Sequence, residues 1–219
     1  MKHSTSILSL SLLFIISGCS QKSSDSFATA YEAAFGGSDV VLDKETLSQI
    51  PYASSYFKIN NGPQVFMVLA YAEINPDTGN TQLKWMSSDS AMIVTENGRV
   101  TKTLNLPEFN LSGLYTDLLK NSFVSNPVAG KAIYDWQPNY SFNTHANINL
   151  SYSGDEILQS TLWSKTTKIW QESITDSNKN RYQNTYWVDN SGTVVKSHQW
   201  AIPGKLFIEQ EILKTYLAN

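Results

Sequence analysis

The chain contains one cysteine, Cys19, in 219 residues. Without a second thiol no disulfide can staple the fold, and no cysteine-rich zinc site can form. Charge is also scarce. Only 16% of residues are Asp, Glu, Lys or Arg, against about 25% in ordinary domains. There is no basic excess, since 16 Lys and Arg face 19 Asp and Glu. Such a surface has no surplus cations to displace the counterions of a polyanion, so no nucleic-acid partner is expected. Histidine is nearly missing: His3, His145 and His198 stand far apart, none with a Cys, Asp or Glu at ligand spacing. No metal site and no cofactor are therefore expected. The chain lacks H-E-x-x-H, G-x-S-x-G, P-loop and dinucleotide fingerprints. It also lacks an apolar run of the ~20 residues that a membrane-spanning helix needs.

What the N-terminus does contain is an address. Lys2 provides a positive start, and Ile7 to Ile16 form a short apolar core. Ile16-Ser17-Gly18-Cys19 then resembles the bacterial lipobox, in which the cysteine thiol is acylated and the preceding peptide bond is cut. A thiol is the only side chain here nucleophilic enough for that reaction. Residues 1–18 are accordingly read as a lipoprotein signal peptide and 19–26 as a lipidated tether. Residues 27–219 are read as a single β-rich periplasmic domain. The membrane is then a partner through acyl chains on Cys19. Ser20 follows the cysteine, and the absence of Asp there favours the outer membrane of a Gram-negative cell over retention in the inner one.

Past the tether, Phe27, Ala30, Tyr31, Ala34 and Phe35 share one helical face, and Leu111, Leu114, Tyr115, Leu118 and Leu119 share another. The remainder reads as strands. Gln64–Ile74 is apolar on both parities, as in a strand covered on both faces. Asn97-Gly98 between two β-rich runs is the strongest hairpin signal. Asn190-Ser-Gly192 and Pro203-Gly204 separate the last three strands. Between 140 and 152, Tyr140, Phe142, Thr144, Ala146, Ile148, Leu150 and Tyr152 alternate with a polar, amide-rich set. Porin-like barrels need such alternation in every strand, and Gln64–Ile74 breaks it. The expected fold is mainly β: an antiparallel β-sandwich or partly open barrel with two short helices.

No catalytic residues emerge. Asp89, Glu172 and Asp189 are the acids that a polysaccharide-modifying enzyme would draw on, but carboxylates are mostly surface residues. The six tryptophans suit sugar stacking, yet buried aromatics remove 150–250 Å² each from water, so core packing is the favoured reading for any single one. The amide-rich face at Asn143, His145, Asn147 and Asn149 is the candidate glycan contact.

Five segments form a recognisable set: Pro51–Tyr56, Phe66–Tyr71, Lys84–Met92, Val94–Val100 and Gln183–Asp189. Together with Trp170-Gln-Glu172 and the lipobox they resemble the YjbF/GfcB-type lipoproteins of group 4 capsule and exopolysaccharide operons. Asn75–Thr81 is longer than that likeness implies. The resemblance implies a mostly antiparallel β fold and a part in capsule or exopolysaccharide production or export, and it carries no active-site residues. The expectation is an outer-membrane-anchored, non-catalytic accessory lipoprotein whose partner is the polysaccharide or its export proteins. The alternatives are an enzyme modifying periplasmic polysaccharide and a pure protein–protein scaffold.

Overall fold

In a computed structural model, which describes residues 37–120, 123 and 127–217, twelve antiparallel strands form one sheet. The strands are β1 (Ser54–Ile59), β2 (Val65–Ile74), β3 (Thr81–Met86), β4 (Met92–Glu96), β5 (Arg99–Leu104) and β6 (Asn110–Thr116). They continue as β7 (Val128–Gln137), β8 (Ser141–Gln159), β9 (Ser164–Asp176), β10 (Arg181–Asp189), β11 (Val194–Ile202) and β12 (Leu206–Lys214). Each strand pairs with its sequence neighbour except at two places: β1 pairs with β12, and β5 and β6 are the sheet's two edges. Those edges lie side by side and are stitched by side chains. Leu111 N donates to Thr103 Oγ1 at 2.9 Å, and Asn110 exchanges hydrogen bonds with the Leu106 backbone at 2.8 and 2.9 Å. The result is a nearly closed up-and-down barrel, so the partly open barrel is the form the chain adopts.

The interior is packed. Phe57, Met67, Trp85, Ile93, Leu111, Leu150, Ile174, Ile202 and Ile208 are all fully buried in one cluster. Lys84, Lys102, Lys196, Glu209 and Glu211 stand on the outer parity. A membrane barrel has the reverse sidedness, apolar outside and polar within. Opposite walls also touch. Gln199 on β11 accepts from Val100 N at 2.9 Å and donates to Gly98 O at 3.0 Å across the lumen. The Asn97-Gly98 turn has both residues at positive φ (47° and 76°), as a two-residue hairpin on right-twisted strands requires. A Cβ on Gly98 would sit 2.4 Å from the Val194 side chain, so glycine is needed there twice over.

A second, smaller core lies outside the barrel. Helix α1 (Lys44–Gln49), capped by the Asp43 carboxylate on Thr46 N at 2.8 Å, lays Leu47 against Tyr56 and Leu213. Strand β1 is thereby covered on both faces. The β8–β9 hairpin outruns β7, whose last pair is Val128 with Leu150. Its free arm folds back over the outer surface. There Leu162 joins the second core, and Trp163 Nε1 donates to Ile212 O at 2.9 Å.

Three expectations need correction. Residues 111–119 are not a helix but strand β6 followed by a 3-10 turn, Asp117–Leu119. Leu-rich spacing there fits both periods, and the open edge of β7 offers a ladder that outweighs an isolated helix. Gln64–Ile74 is covered on both faces only in its first half; Tyr71 and Ile74 are 65% and 64% exposed. The alternation at 140–152 holds only from Ala146 to Leu150: Asn139, Tyr140 and Asn143 adopt positive φ (71°, 47° and 56°), Tyr140 and Phe142 are exposed, and β8 runs on to Gln159 past a bulge between Tyr152 and Gly154. The expected helix at 27–35, the signal peptide, the tether and Cys19 lie outside the described residues.

Candidate functional site

The four sequence-derived candidates do stand together. Asn143, His145, Asn147 and Asn149 are all exposed on the outer side of β8. Asn147 and Asn149 edge a shallow groove with Lys131, Ser173 and Thr175, and His145 and Asn147 edge its continuation. Asn143 is held by its backbone N–H on Asp135 Oδ1 at 2.7 Å. The surface is polar, open and only weakly concave.

The three candidate acids are not brought together. Asp89 lies in the β3–β4 turn, where it accepts from the Ser87 hydroxyl. Asp189 organises the β10–β11 turn at the other end of the barrel, accepting from Ser191 N at 2.9 Å and Thr193 N at 3.1 Å. Burial alone would raise the Asp189 pKa, but Lys165 and these donors hold it below the ordinary carboxylate range. Such a group is a poor general acid.

Glu172 is inside the barrel. Its carboxylate accepts from Arg99 Nη2 at 2.7 Å, Asn184 Nδ2 at 3.0 Å and Tyr186 Oη at 3.2 Å. The Arg99 guanidinium lies 5.0 Å from the Phe123 ring centre and 5.1 Å from that of Tyr186. Burial would lower the Arg99 pKa, but the adjacent Glu172 carboxylate outweighs it and the net shift is upward. Burial, then the same carboxylate, raises Tyr134 and Tyr186, which stay neutral, and Tyr186 donates to that carboxylate. The cluster is a locked ion pair in a polar cage. Its sequence signal was the alternation of Trp170, Glu172 and Ile174, which places a carboxylate on an otherwise apolar parity.

The cavity was invisible in the sequence. At the end of the barrel bearing the β2–β3, β4–β5 and β10–β11 turns, a mouth opens into a space of about 530 Å³, within the range of about 300–1,000 Å³ typical of small-molecule sites. Leu83, Val194 and Ile212 form apolar wall, Asn80, Thr95, Asn97 and Gln210 contribute polar groups, and Lys120 stands at the rim. Phe123 reaches in from the stretch after β6 and separates the cavity from the Arg99–Glu172 pair. Trp85 is fully buried in the wall and donates from Nε1 to Thr95 Oγ1 at 2.9 Å.

One rim is fixed by Glu96. Its carboxylate accepts from Asn75, Thr78, Asn80 and Gln82, three of them in the long 75–81 stretch. Asn80 and Asn97 both donate to Leu119 O at 2.7 Å, which ties the 3-10 turn to the mouth. Burial would raise the Glu96 pKa, but the four side-chain donors win and it lies below its ordinary 4.5. A folded pKa below the unfolded one means protons are taken up on unfolding. The contribution is therefore fully present above pH ~4.5 and is lost as pH falls through the folded value. In Glu96→Gln, urea denaturation should show a loss of about 1–3 kcal/mol at neutral pH, the scale for orphaning buried partners. The difference from wild type should shrink as pH drops below 4. An undiminished gap at low pH would show that the ionised carboxylate is not the stabilising form.

A β-barrel with charged side chains on its outer parity, behind an N-terminal sequence that resembles a lipobox, has the make-up of a cell-envelope lipoprotein. More particularly, the chain belongs to the YjbF family, whose description is "Group 4 capsule polysaccharide lipoprotein gfcB, YjbF" and whose profile matches residues 27–213. The chain is 31% identical to the lipoprotein GfcB of Escherichia coli K12, over 95% of this chain and 97% of that one. It is 29% identical to the lipoprotein YjbF of the same organism, over 86% and 88%. The crystal structure of the hypothetical lipoprotein YmcC from Escherichia coli K12 superposes with a TM-score of 0.71 at 29% identity, covering 81% of this chain and 91% of that one.

Proposed function

We propose that this protein is a non-catalytic accessory lipoprotein, anchored in the outer membrane through Cys19, that supports capsule or exopolysaccharide production or export. The observation that carries the reading is the match to a capsule-polysaccharide lipoprotein family along nearly the whole chain after the tether. The scattered positions of Asp89, Glu172 and Asp189 favour an accessory over an enzymatic role, since glycoside hydrolysis needs two carboxyl groups flanking one bond. The described chain begins beside the β1–β2 turn, where Val40 N donates to Gln64 O at 2.9 Å and Asp39 pairs with Lys58. That is the end opposite the cavity mouth.

Polysaccharide or its export proteins are the partners, and the exposed face of β8 is the proposed contact. The test replaces Asn143, His145 and Asn147 together with Ala in a deletion strain complemented on a plasmid. These side chains face water, so each substitution should cost less than ~0.5 kcal/mol and folding should persist. Cell-associated polysaccharide should fall towards the level of the deletion. Wild-type polysaccharide in the triple variant would take this face out of the reading. If the deletion itself leaves polysaccharide unchanged, the proposed function fails altogether.

A further inference from the structure

We infer that the cavity at the barrel mouth is a binding site for a short acidic oligosaccharide, a segment whose sugars carry a carboxylate. The inference rests on the polysaccharide-related reading above and assigns it a place and a ligand chemistry.

The first observation is a polar group with nothing to bond. Gln210, on β12, is only 4% exposed, and its side-chain amide makes no hydrogen bond among the described residues. It stands on the inward parity between Ile208 and Ile212 and lines the cavity. An amide that opens onto a cavity and has no protein partner bonds to water there or to a ligand that displaces the water. Thr95 is the second such group. It is 3% exposed, its oxygen accepts from Trp85 Nε1, and its own hydroxyl proton is left for an acceptor in the cavity. Gln210 and Thr95 thus offer both donor and acceptor capacity from opposite parts of the wall.

The second observation is the charge of the lining. Lys120 is the one charged residue among the described residues that line the cavity. It is exposed and forms no salt bridge among the described residues. An anionic group entering the mouth meets the Lys120 cation, while the Glu96 carboxylate of the rim is engaged by its four side-chain donors. The aliphatic side chains Leu83, Val194 and Ile212, with the Phe123 ring, supply flat apolar contact for the C–H faces of pyranose rings. A lipid chain would leave Gln210 and Thr95 unpaired. A peptide would gain nothing from a wall that mixes isolated amides with hydroxyls at this depth. An acidic sugar satisfies the amide, the hydroxyl, the cation and the apolar wall together.

The third observation is rigidity. Glu96 and its donors hold the Asn80 side of the rim, and the Arg99–Glu172 pair supports Phe123 from below. A preformed pocket loses little conformational freedom on binding.

Isothermal titration of the purified lipid-free protein would use two probes of equal length, tetragalacturonate and maltotetraose. Tetragalacturonate should bind, and maltotetraose should bind at least roughly tenfold more weakly, the scale of one charge-assisted hydrogen bond. Gln210→Leu removes the amide at nearly constant volume, and Lys120→Ala changes only an exposed side chain. Each should weaken tetragalacturonate binding roughly tenfold, with melting temperature following the fold separately. No heat with tetragalacturonate would overturn the inference, as would equal binding by wild type and Lys120→Ala, or equal binding of both probes. The role in polysaccharide production is read separately in cells. If deletion lowers polysaccharide but the protein binds no probe, the cavity inference fails and the functional reading stands. If the protein binds as expected but deletion has no effect on polysaccharide, the functional reading fails and the site stands.

Discussion

Arg99→Met is expected to destabilise the protein by about 3–5 kcal/mol, because it strands the Glu172 carboxylate in the barrel interior. The side chains of both partners are nearly inaccessible, at 1% and 4% exposure. Glu172→Leu should cost a similar amount by removing the carboxylate that balances the buried guanidinium, which stays charged at any accessible pH. The informative variant is the double one. A buried ion pair replaced by apolar residues of similar size is often near neutral in stability, since two large desolvation penalties vanish with the attraction. Arg99→Met with Glu172→Leu should therefore recover much of the single losses. Recovery should be incomplete, since Asn184 and Tyr186 lose their acceptor. Urea denaturation of the four proteins gives the coupling energy directly. Strict additivity of the two losses would mean that the pair does not act as a unit. A single-variant loss below ~1 kcal/mol would mean that water reaches the site and solvates the remaining charge.

Cys19→Ala is expected to abolish incorporation of radiolabelled palmitate and to move the protein from the membrane fraction to the soluble periplasmic fraction. The effect is all or none, because no other residue of the chain carries a thiol. Each buried methylene contributes about 0.8 kcal/mol to membrane residence, so two or three acyl chains hold a protein where the bare chain would diffuse away. The barrel cannot substitute for the anchor. Its outward positions carry Lys84, Lys102, Lys196, Glu209 and Glu211, and charged side chains on a lipid-facing strand cost several kcal/mol near the bilayer centre. Equal labelling of both proteins would remove the lipid from Cys19. Loss of labelling with unchanged membrane association would place the attachment in a protein partner instead.

Local chemistry is what the sequence by itself determined. The segment Ile16–Cys19 that resembles a lipobox is contiguous, so the expectation of lipidation needs nothing distant. The Asn97-Gly98, Asn190–Gly192 and Pro203–Gly204 turns were legible because positive φ is tolerated by few residues, and the strands between them inherit their limits. Strands β10, β11 and β12 are parted at the Asn190–Gly192 and Pro203–Gly204 turns. The tertiary structure decided everything that depends on a partner. Residues 111–119 satisfy a helical and an extended spacing alike, and β7 alone selects the strand. Left-handed backbone at Asn139, Tyr140 and Asn143 accompanies the exposure of Tyr140 and Phe142, against a perfect alternation in the sequence. Arg99 and Glu172 are 73 residues apart and meet only because the barrel nearly closes. The cavity draws on β3, β4, the stretch after β6, β11 and β12, and no spacing within any of those segments hints at the others. Gln210 is an ordinary alternating residue of β12 until the opposite wall arrives and leaves its amide facing a space instead of a partner.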